Sequence, residues 1–348
     1  MKEFGDIVRE NVKRLQAYSC ARAEFEGTNV ALLDANENPF ASEYNRYPDP
    51  FQRELKREIG RLKGVEVSRL VLGNGSDELI DMLIRTVCTP RRDNMLVFSP
   101  GYSMYEVSGR VNDVEVRCLE LDGEFQPEWN TLFDSVDRFT KMIFFCTPNN
   151  PVGNVIPLER IREVASRFDG IVVVDEAYID FGGVSALPLI EKYVNLLIVQ
   201  TFSKSRSMAG MRIGYAMGNA KLIRYINDVK YSFNSYTMNR TALALGVEAI
   251  RDRAYFEETR KKIIETREWT KKELRALGFT FGDSMSNFIF ASHERVPATE
   301  LFEALRREHI YVRHFTKERI NNYLRISIGT REEMETFIRF LKEYLKEA

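Results

Sequence analysis

Histidine is scarce in this 348-residue chain. Only His293, His309 and His314 occur, all late and none at zinc-ligand spacing. A metal site is therefore not expected, and no histidine stands out as a general base. The four cysteines, Cys20, Cys88, Cys118 and Cys146, are scattered with no C-x-x-C pair. That argues against a disulfide framework and for reduced, mostly buried thiols in a cytoplasmic protein. Neither sign of charge is in excess, with 50 Lys plus Arg against 51 Asp plus Glu, so nothing points to nucleic acid. No apolar run approaches the length of a membrane span. Met1-Lys2-Glu3-Phe4 leads into a charged amphipathic segment, so no export signal is expected. Low-complexity tracts and internal repeats are also missing.

What is present is an alternation of helical patterns with short apolar runs, starting near residue 51. The runs include Leu70-Val71-Leu72, Met95-Leu96-Val97-Phe98, Met142-Ile143-Phe144-Phe145, Ile171-Val172-Val173-Val174 and Leu196-Leu197-Ile198-Val199. Runs without polar alternation predict strands buried on both faces, hence a mainly parallel sheet covered by helices, an α/β architecture. Ile7, Val8, Val12 and Leu15 predict a short N-terminal helix, and residues 16–50 read as irregular. Residues 255–277 predict one long charged helix closed by Gly278. Strands follow around Asn287–Phe290 and Leu324–Ile328. The last helix opens with a capping box at Thr330 and Glu333 and carries the apolar face Met334, Phe337, Ile338, Leu341 and Leu345. This tail reads as a smaller α+β domain, completed by the N-terminal segment.

The most informative stretch is Thr201-Phe202-Ser203-Lys204-Ser205-Arg206-Ser207-Met208-Ala209-Gly210-Met211-Arg212. A hydroxyl at Ser203 beside Lys204, an arginine eight residues on and small residues between fit a lysine held as a Schiff base to a phosphorylated aldehyde. Ser203 and Arg212 would hold the phosphate. An ordinary polar loop after a strand is the plainer reading of the same residues.

Further segments fall at predicted strand ends, where open α/β sheets place their ligands. Leu72-Gly73-Asn74-Gly75-Ser76-Asp77-Glu78 gives a strand, a glycine turn and a helix start. Amides around Gly75 and the Ser76 hydroxyl could hold a phosphate, although Ser76 could equally be a plain helix cap. Asp77 and Glu78 would repel a phosphate; Asp77 is nonetheless counted with the cofactor-site residues. Tyr102, after Ser99-Pro100-Gly101, could stack on a ring. Asn150, in Cys146-Thr147-Pro148-Asn149-Asn150-Pro151-Val152-Gly153, could reach a ring oxygen, as could Tyr178. Asp175 ends a buried strand, where a carboxylate is costly unless paired, and could pair with a pyridine nitrogen.

In the order Ser76, Tyr102, Asn150, Asp175, Tyr178, Lys204 and Arg212, the chain resembles the fold-type I aminotransferases that depend on pyridoxal 5'-phosphate, over nearly its whole length. The resemblance implies a large cofactor-binding domain over residues 46–254, a small C-terminal α+β domain over 255–348, and an arm over 1–45 that contributes to the small domain. It narrows further. Ala17-Tyr18-Ser19-Cys20-Ala21-Arg22, Leu33-Asp34-Ala35-Asn36-Glu37-Asn38-Pro39, Asn45-Arg46-Tyr47-Pro48-Asp49 and Leu324-Arg325-Ile326-Ser327-Ile328 are similar to the histidinol-phosphate aminotransferase family.

That likeness implies a homodimer in which Tyr47 reaches the cofactor phosphate of the other subunit. Arg325 would bind the acidic end of the substrate, and Tyr18, Asn36 and Arg313 would complete the substrate site. Lys204, Asp175 and Tyr178 would be the catalytic set, with histidinol phosphate and the glutamate/2-oxoglutarate pair as substrates in histidine biosynthesis. Two positions depart from the family pattern. Val152 stands where threonine is usual, and Arg206 stands where small or apolar residues are usual; its extra cation would adjust the entrance or face solvent. The alternatives are a threonine-phosphate decarboxylase or an aromatic aminotransferase of the same fold. A regulatory cofactor-binding domain is the non-enzymatic alternative.

Overall fold

The computed structural model describes residues 7–16, 20, 31–40, 42 and 44–347. A seven-stranded sheet comprises β1 (Leu70–Asn74), β2 (Asn94–Ser99), β3 (Glu115–Glu120), β4 (Thr140–Cys146), β5 (Ile171–Asp175), β6 (Leu196–Thr201) and β7 (Ile213–Met217). Their order is β1-β7-β6-β5-β4-β2-β3. Neighbours from β6 through β3 are parallel, as the unalternated apolar runs predict. Strand β7 alone runs the other way, between β6 and β1. Its first residue follows Arg212, so this reversed strand starts at the edge where the others end.

Side chains alternate between two cores. Met142, Phe144, Ile171 and Val173 face one, and Ile143, Phe145, Val172 and Val174 face the other. Burying each such side chain fully contributes about 1.5–3 kcal/mol. Helices in chain order are α1 (Glu10–Lys13), α2 (Arg53–Lys63), α3 (Ser76–Val87), α4 (Met104–Val111), α5 (Leu158–Arg167), α6 (Ala220–Phe233), α7 (Arg240–Arg251), α8 (Arg253–Ala276), α9 (Ala298–Arg307) and α10 (Arg331–Glu347). No helix among the described residues is long and apolar enough to cross a membrane.

A second, antiparallel sheet holds β8 (Phe279–Phe281), β9 (Phe288–His293), β10 (Arg313–His314) and β11 (Leu324–Ser327), in the order β10-β11-β9-β8. Its own core includes Leu274, Ile289, Leu301, Ile326 and the predicted face of α10. The capping box forms: Thr330 N donates to Glu333 Oε2 at 2.7 Å, and Glu333 N donates to Thr330 Oγ1 at 3.3 Å. Lys317 Nζ donates to Ser99 Oγ at 2.8 Å, and Arg319 donates to the carbonyls of Leu121 and Asp122. These bonds tie the loop after β10 to the edge of the large sheet.

The N-terminal helix differs from expectation. Ile7, Val8 and Val12 pack into the core of the large sheet with Leu83, Val87 and Ile226, and Arg9 N donates to Thr86 O at 3.1 Å. The apolar stripe finds the groove beside α3 and α6, not the small sheet.

Candidate active site

The ends of five parallel strands, β1, β2, β4, β5 and β6, and the start of the reversed β7 meet at one cavity of about 250 Å³. It is lined by Ser76, Asp77, Tyr102, Asn150, Asp175, Tyr178, Ser203, Lys204, Arg212 and Arg325, all predicted, together with Cys146, Ala177, Thr201 and Ala209. Each predicted residue arrives by a local reason. The β1–α3 turn is made by Gly75, whose φ of 87° suits glycine. A Cβ there would lie 2.5 Å from Arg212 Nη2, so glycine also lets the guanidinium approach the turn. Gly75 is the N-cap and Ser76 the first helical residue, which corrects the reading of Ser76 as a cap. Across the register, a Cβ on Gly214 would sit 2.3 Å from Ser76 N.

Asp175 is 3 % exposed at the end of β5. Tyr105 donates its hydroxyl to Asp175 Oδ2 at 2.6 Å, and Ala177 N donates to Oδ1 at 3.0 Å. Burial pushes the carboxyl up to about 6 against these two bonds. Within the chain itself these two neutral donors hold the carboxylate, with Lys204 a weaker influence. Tyr105 was missed from sequence. It lies near the start of α4, three residues after Tyr102, whose ring it meets edge-on with centroids 5.5 Å apart.

Lys204 follows β6, with its Nζ 5.6 Å from the Tyr178 ring centroid. Burial lowers the pKa of its amine, Arg325 adds to that, and Asp77 and Asp175 oppose it. Asn150 Nδ2 donates to the Tyr178 hydroxyl at 3.2 Å, and Arg325 Nη1 donates to Asn150 Oδ1. Tyr102 donates to Asp77 Oδ1 at 2.9 Å, and Arg212 Nη2 lies 3.6 Å from Asp77 Oδ2. Asp77 therefore faces inward to hydroxyl and guanidinium. Thr201, also missed, accepts from Ser203 N at 3.1 Å and fixes the start of the lysine loop.

Arg313 and Arg325 are register partners on β10 and β11. Both guanidinium carbons lie 5.8 Å from the Phe315 ring centroid. Arg313 is exposed and outside the cavity lining. Tyr47 and Asn36 are not brought to Lys204 within the chain. They line a separate cavity of about 410 Å³ with Asn239 and Arg240, where Tyr47 stacks on Tyr236 with centroids 4.3 Å apart. Tyr18 lies outside the described residues. Both departures are buried and lie outside the lining of this cavity. Val152 is buried against Phe290 and Ile320. Arg206 neither faces solvent nor reaches the cavity: it is 9 % exposed and donates to Ala249 O at 2.9 Å.

Residues 26–341 match the family model for aminotransferase class I and II. This chain belongs to that family. The aminotransferase is 39 % identical over 346 residues to histidinol-phosphate aminotransferase of Parabacteroides distasonis, covering 98 % of this chain and 99 % of the relative. It is 38 % identical to the same enzyme of Brachyspira hyodysenteriae, covering 99 % and 100 %. The crystal structure of histidinol-phosphate aminotransferase from Sinorhizobium meliloti in complex with pyridoxal-5'-phosphate superposes with a TM-score of 0.79 at 25 % identity, covering 87 % of this chain and 83 % of that one. The fold-type I architecture, the transaminase activity and dependence on pyridoxal 5'-phosphate follow for this aminotransferase.

Proposed function

We propose that this aminotransferase transfers the amino group of L-histidinol phosphate to 2-oxoglutarate, giving imidazole acetol phosphate and L-glutamate in histidine biosynthesis. The observation that carries the choice of substrate is the Arg313–Arg325 pair. Like charges opposite one another on adjacent strands are unfavourable unless an anion lies between them. Among the described residues no carboxylate pairs with either. A phosphate would receive charge-assisted bonds from both guanidinium groups. Likeness to relatives of this name at 38–39 % identity over full length supports the same reading.

The residues fit pyridoxal 5'-phosphate. The glycine-lined turn opens helix α3, where free amides favour an anion. Ser76, Ser203 and Arg212 line the same corner. The buried Asp175 carboxylate, raised to about 6, offers a place for a protonated ring nitrogen. When bound, the cofactor supplies a ring that takes up electrons from the substrate and carries its amino group between two substrates.

The protein does the rest. Tyr102 covers one face of the cavity and excludes water. Asp175 would hold a positive charge on the cofactor ring, and Asn150 with Tyr178 would hold a ring oxygen. Lys204, its proton affinity lowered by burial, anchors the cofactor and moves a proton at the substrate α-carbon. Arg325 grips the carboxylate of glutamate or the phosphate of histidinol phosphate, since a guanidinium fork suits both.

The active form in this reading is a homodimer, with Tyr47 crossing to the partner's cofactor phosphate. Tyr47 is 49 % exposed and faces a cavity distinct from that of Lys204, in keeping with such a role. A cytoplasmic setting belongs to the same reading; the four cysteines are free thiols. The test is to incubate the loaded enzyme with 2-oxoglutarate and each of histidinol phosphate, phenylalanine and threonine phosphate. Glutamate should form fastest with histidinol phosphate. Preference for phenylalanine would install an aromatic aminotransferase, and carbon dioxide from threonine phosphate without loss of 2-oxoglutarate would install a decarboxylase.

A further inference from the structure

The two residues after Lys204 are absorbed by none of the roles above, yet both are buried. Ser205 donates its hydroxyl to Asp180 Oδ2, in the short 3-10 turn Ile179–Phe181 that follows Tyr178. Arg206 points the other way. Its guanidinium donates to Ala249 O in the last turn of α7, where carbonyls favour a cation. It also lies 4.3 Å from the Phe256 ring centroid and 5.5 Å from that of Phe202.

Helix α8 closes this arrangement with a single stripe. Phe256, Arg260, Ile263 and Arg267 recur at helical spacing and so share one face. Phe256 carries Arg206, and Arg260 Nη1 donates to Asp180 O at 3.3 Å. Ile263 packs against Tyr178, Phe181 and Phe288. Arg267 Nη1 donates to Phe181 O at 3.1 Å and to Ser286 O at 2.9 Å. The loop bearing Lys204 and the turn bearing Tyr178 are therefore fastened to each other and to one helix.

We propose that Ser205, Asp180 and Arg206 are positioning residues, forming a clamp that fixes the Lys204 side chain over Tyr178. Arg206 contacts Ala249 O and the rings of Phe256 and Phe202 rather than the Lys204 amine. Arg206 thus works through the backbone. The charges around Arg206 itself are Asp180 and Glu257, which favour it, and Arg253, which opposes it. Displacing a reacting group by a fraction of its length is enough to slow a reaction by one or two orders of magnitude.

This inference rests on the reading of Lys204 as the cofactor-anchoring lysine, and the experiment separates the two. Holoenzyme and apoenzyme of Asp180→Ala, Asp180→Asn, Arg206→Met and Lys204→Ala are compared with the unaltered protein. Asp180→Ala and Arg206→Met should each lower kcat about tenfold, with KM for glutamate changed less than about twofold. Each should also release pyridoxal 5'-phosphate about tenfold faster on dilution. Asp180→Asn keeps an acceptor oxygen for Ser205 and should restore both. Unchanged kcat and cofactor release in both clamp variants would overturn the proposal. So would losses in Asp180→Ala that Asp180→Asn fails to restore and that follow the thermal stability of the apoenzyme. If Lys204→Ala still carries cofactor label after borohydride reduction, the anchor reading fails instead.

Discussion

Tyr105 donates a 2.6 Å hydrogen bond to the Asp175 carboxylate, and Tyr105 is itself stacked on Phe144 with centroids 4.7 Å apart. A rigid, fully buried ring therefore delivers a side-chain hydroxyl to the group assigned to the cofactor nitrogen. The bond opposes the burial that pushes Asp175 up to about 6.

A pH dependence follows. The folded apoenzyme retains the Asp175 proton over a range where the unfolded chain has released it. Stability must then fall as pH rises from about 4 to about 6, and the penalty is complete above that window, at roughly 3 kcal/mol. Asp175→Asn removes this slope, so its stability relative to the unaltered apoenzyme should improve between pH 4 and pH 7. Tyr105→Phe should extend the window upward. Urea unfolding at several pH values measures both, and parallel curves for all three proteins would contradict the assignment.

Asp175→Asn should also leave the holoenzyme folded but slow turnover by orders of magnitude, because the ring nitrogen loses its anionic partner. Single-turnover rates check this. Near-normal turnover would mean that another group pairs with the ring.

Val152 is 5 % exposed in an apolar cluster with Phe290 and Ile320. Restoring threonine would place a hydroxyl among apolar side chains and cost about 1–3 kcal/mol. Thermal unfolding of Val152→Thr should show the loss, while kcat stays close to that of the unaltered enzyme.

Tyr47 tests assembly. Mixed dimers of Tyr47→Phe with Lys204→Ala subunits should contain some sites with both native residues, so their activity should exceed that of either parent. No gain on mixing would remove the cross-subunit role.

Much of this was legible in the sequence because burial on both faces leaves an unambiguous signature. The runs in β1, β2, β4, β5 and β6 are all strands, and the chemistry-bearing residues sit at their ends. Strand β3 escaped because it is an edge strand in which the polar residues Glu115, Arg117 and Glu120 break up the apolar run. β7 escaped because Gly214 interrupts a run of only five residues. The packing of Ile7, Val8 and Val12 was out of reach, since an apolar stripe does not say which groove it fills. Arg206 looked like a surface charge because the acceptor at Ala249 and the ring of Phe256 lie more than forty residues away in sequence.

The central claim is that the arginine pair selects a phosphorylated amine, and one comparison tests it most directly. Specificity, kcat/KM, is measured for histidinol phosphate and for unphosphorylated histidinol, in the unaltered enzyme and in Arg313→Ala. Charge-assisted bonds worth about 1.5–3 kcal/mol each predict that the phosphate is preferred in the unaltered enzyme. They also predict that Arg313→Ala loses roughly ten- to a hundred-fold for histidinol phosphate, and much less for histidinol or glutamate. Equal specificity for the two amines in the unaltered enzyme, or an equal loss for both in Arg313→Ala, would contradict the account.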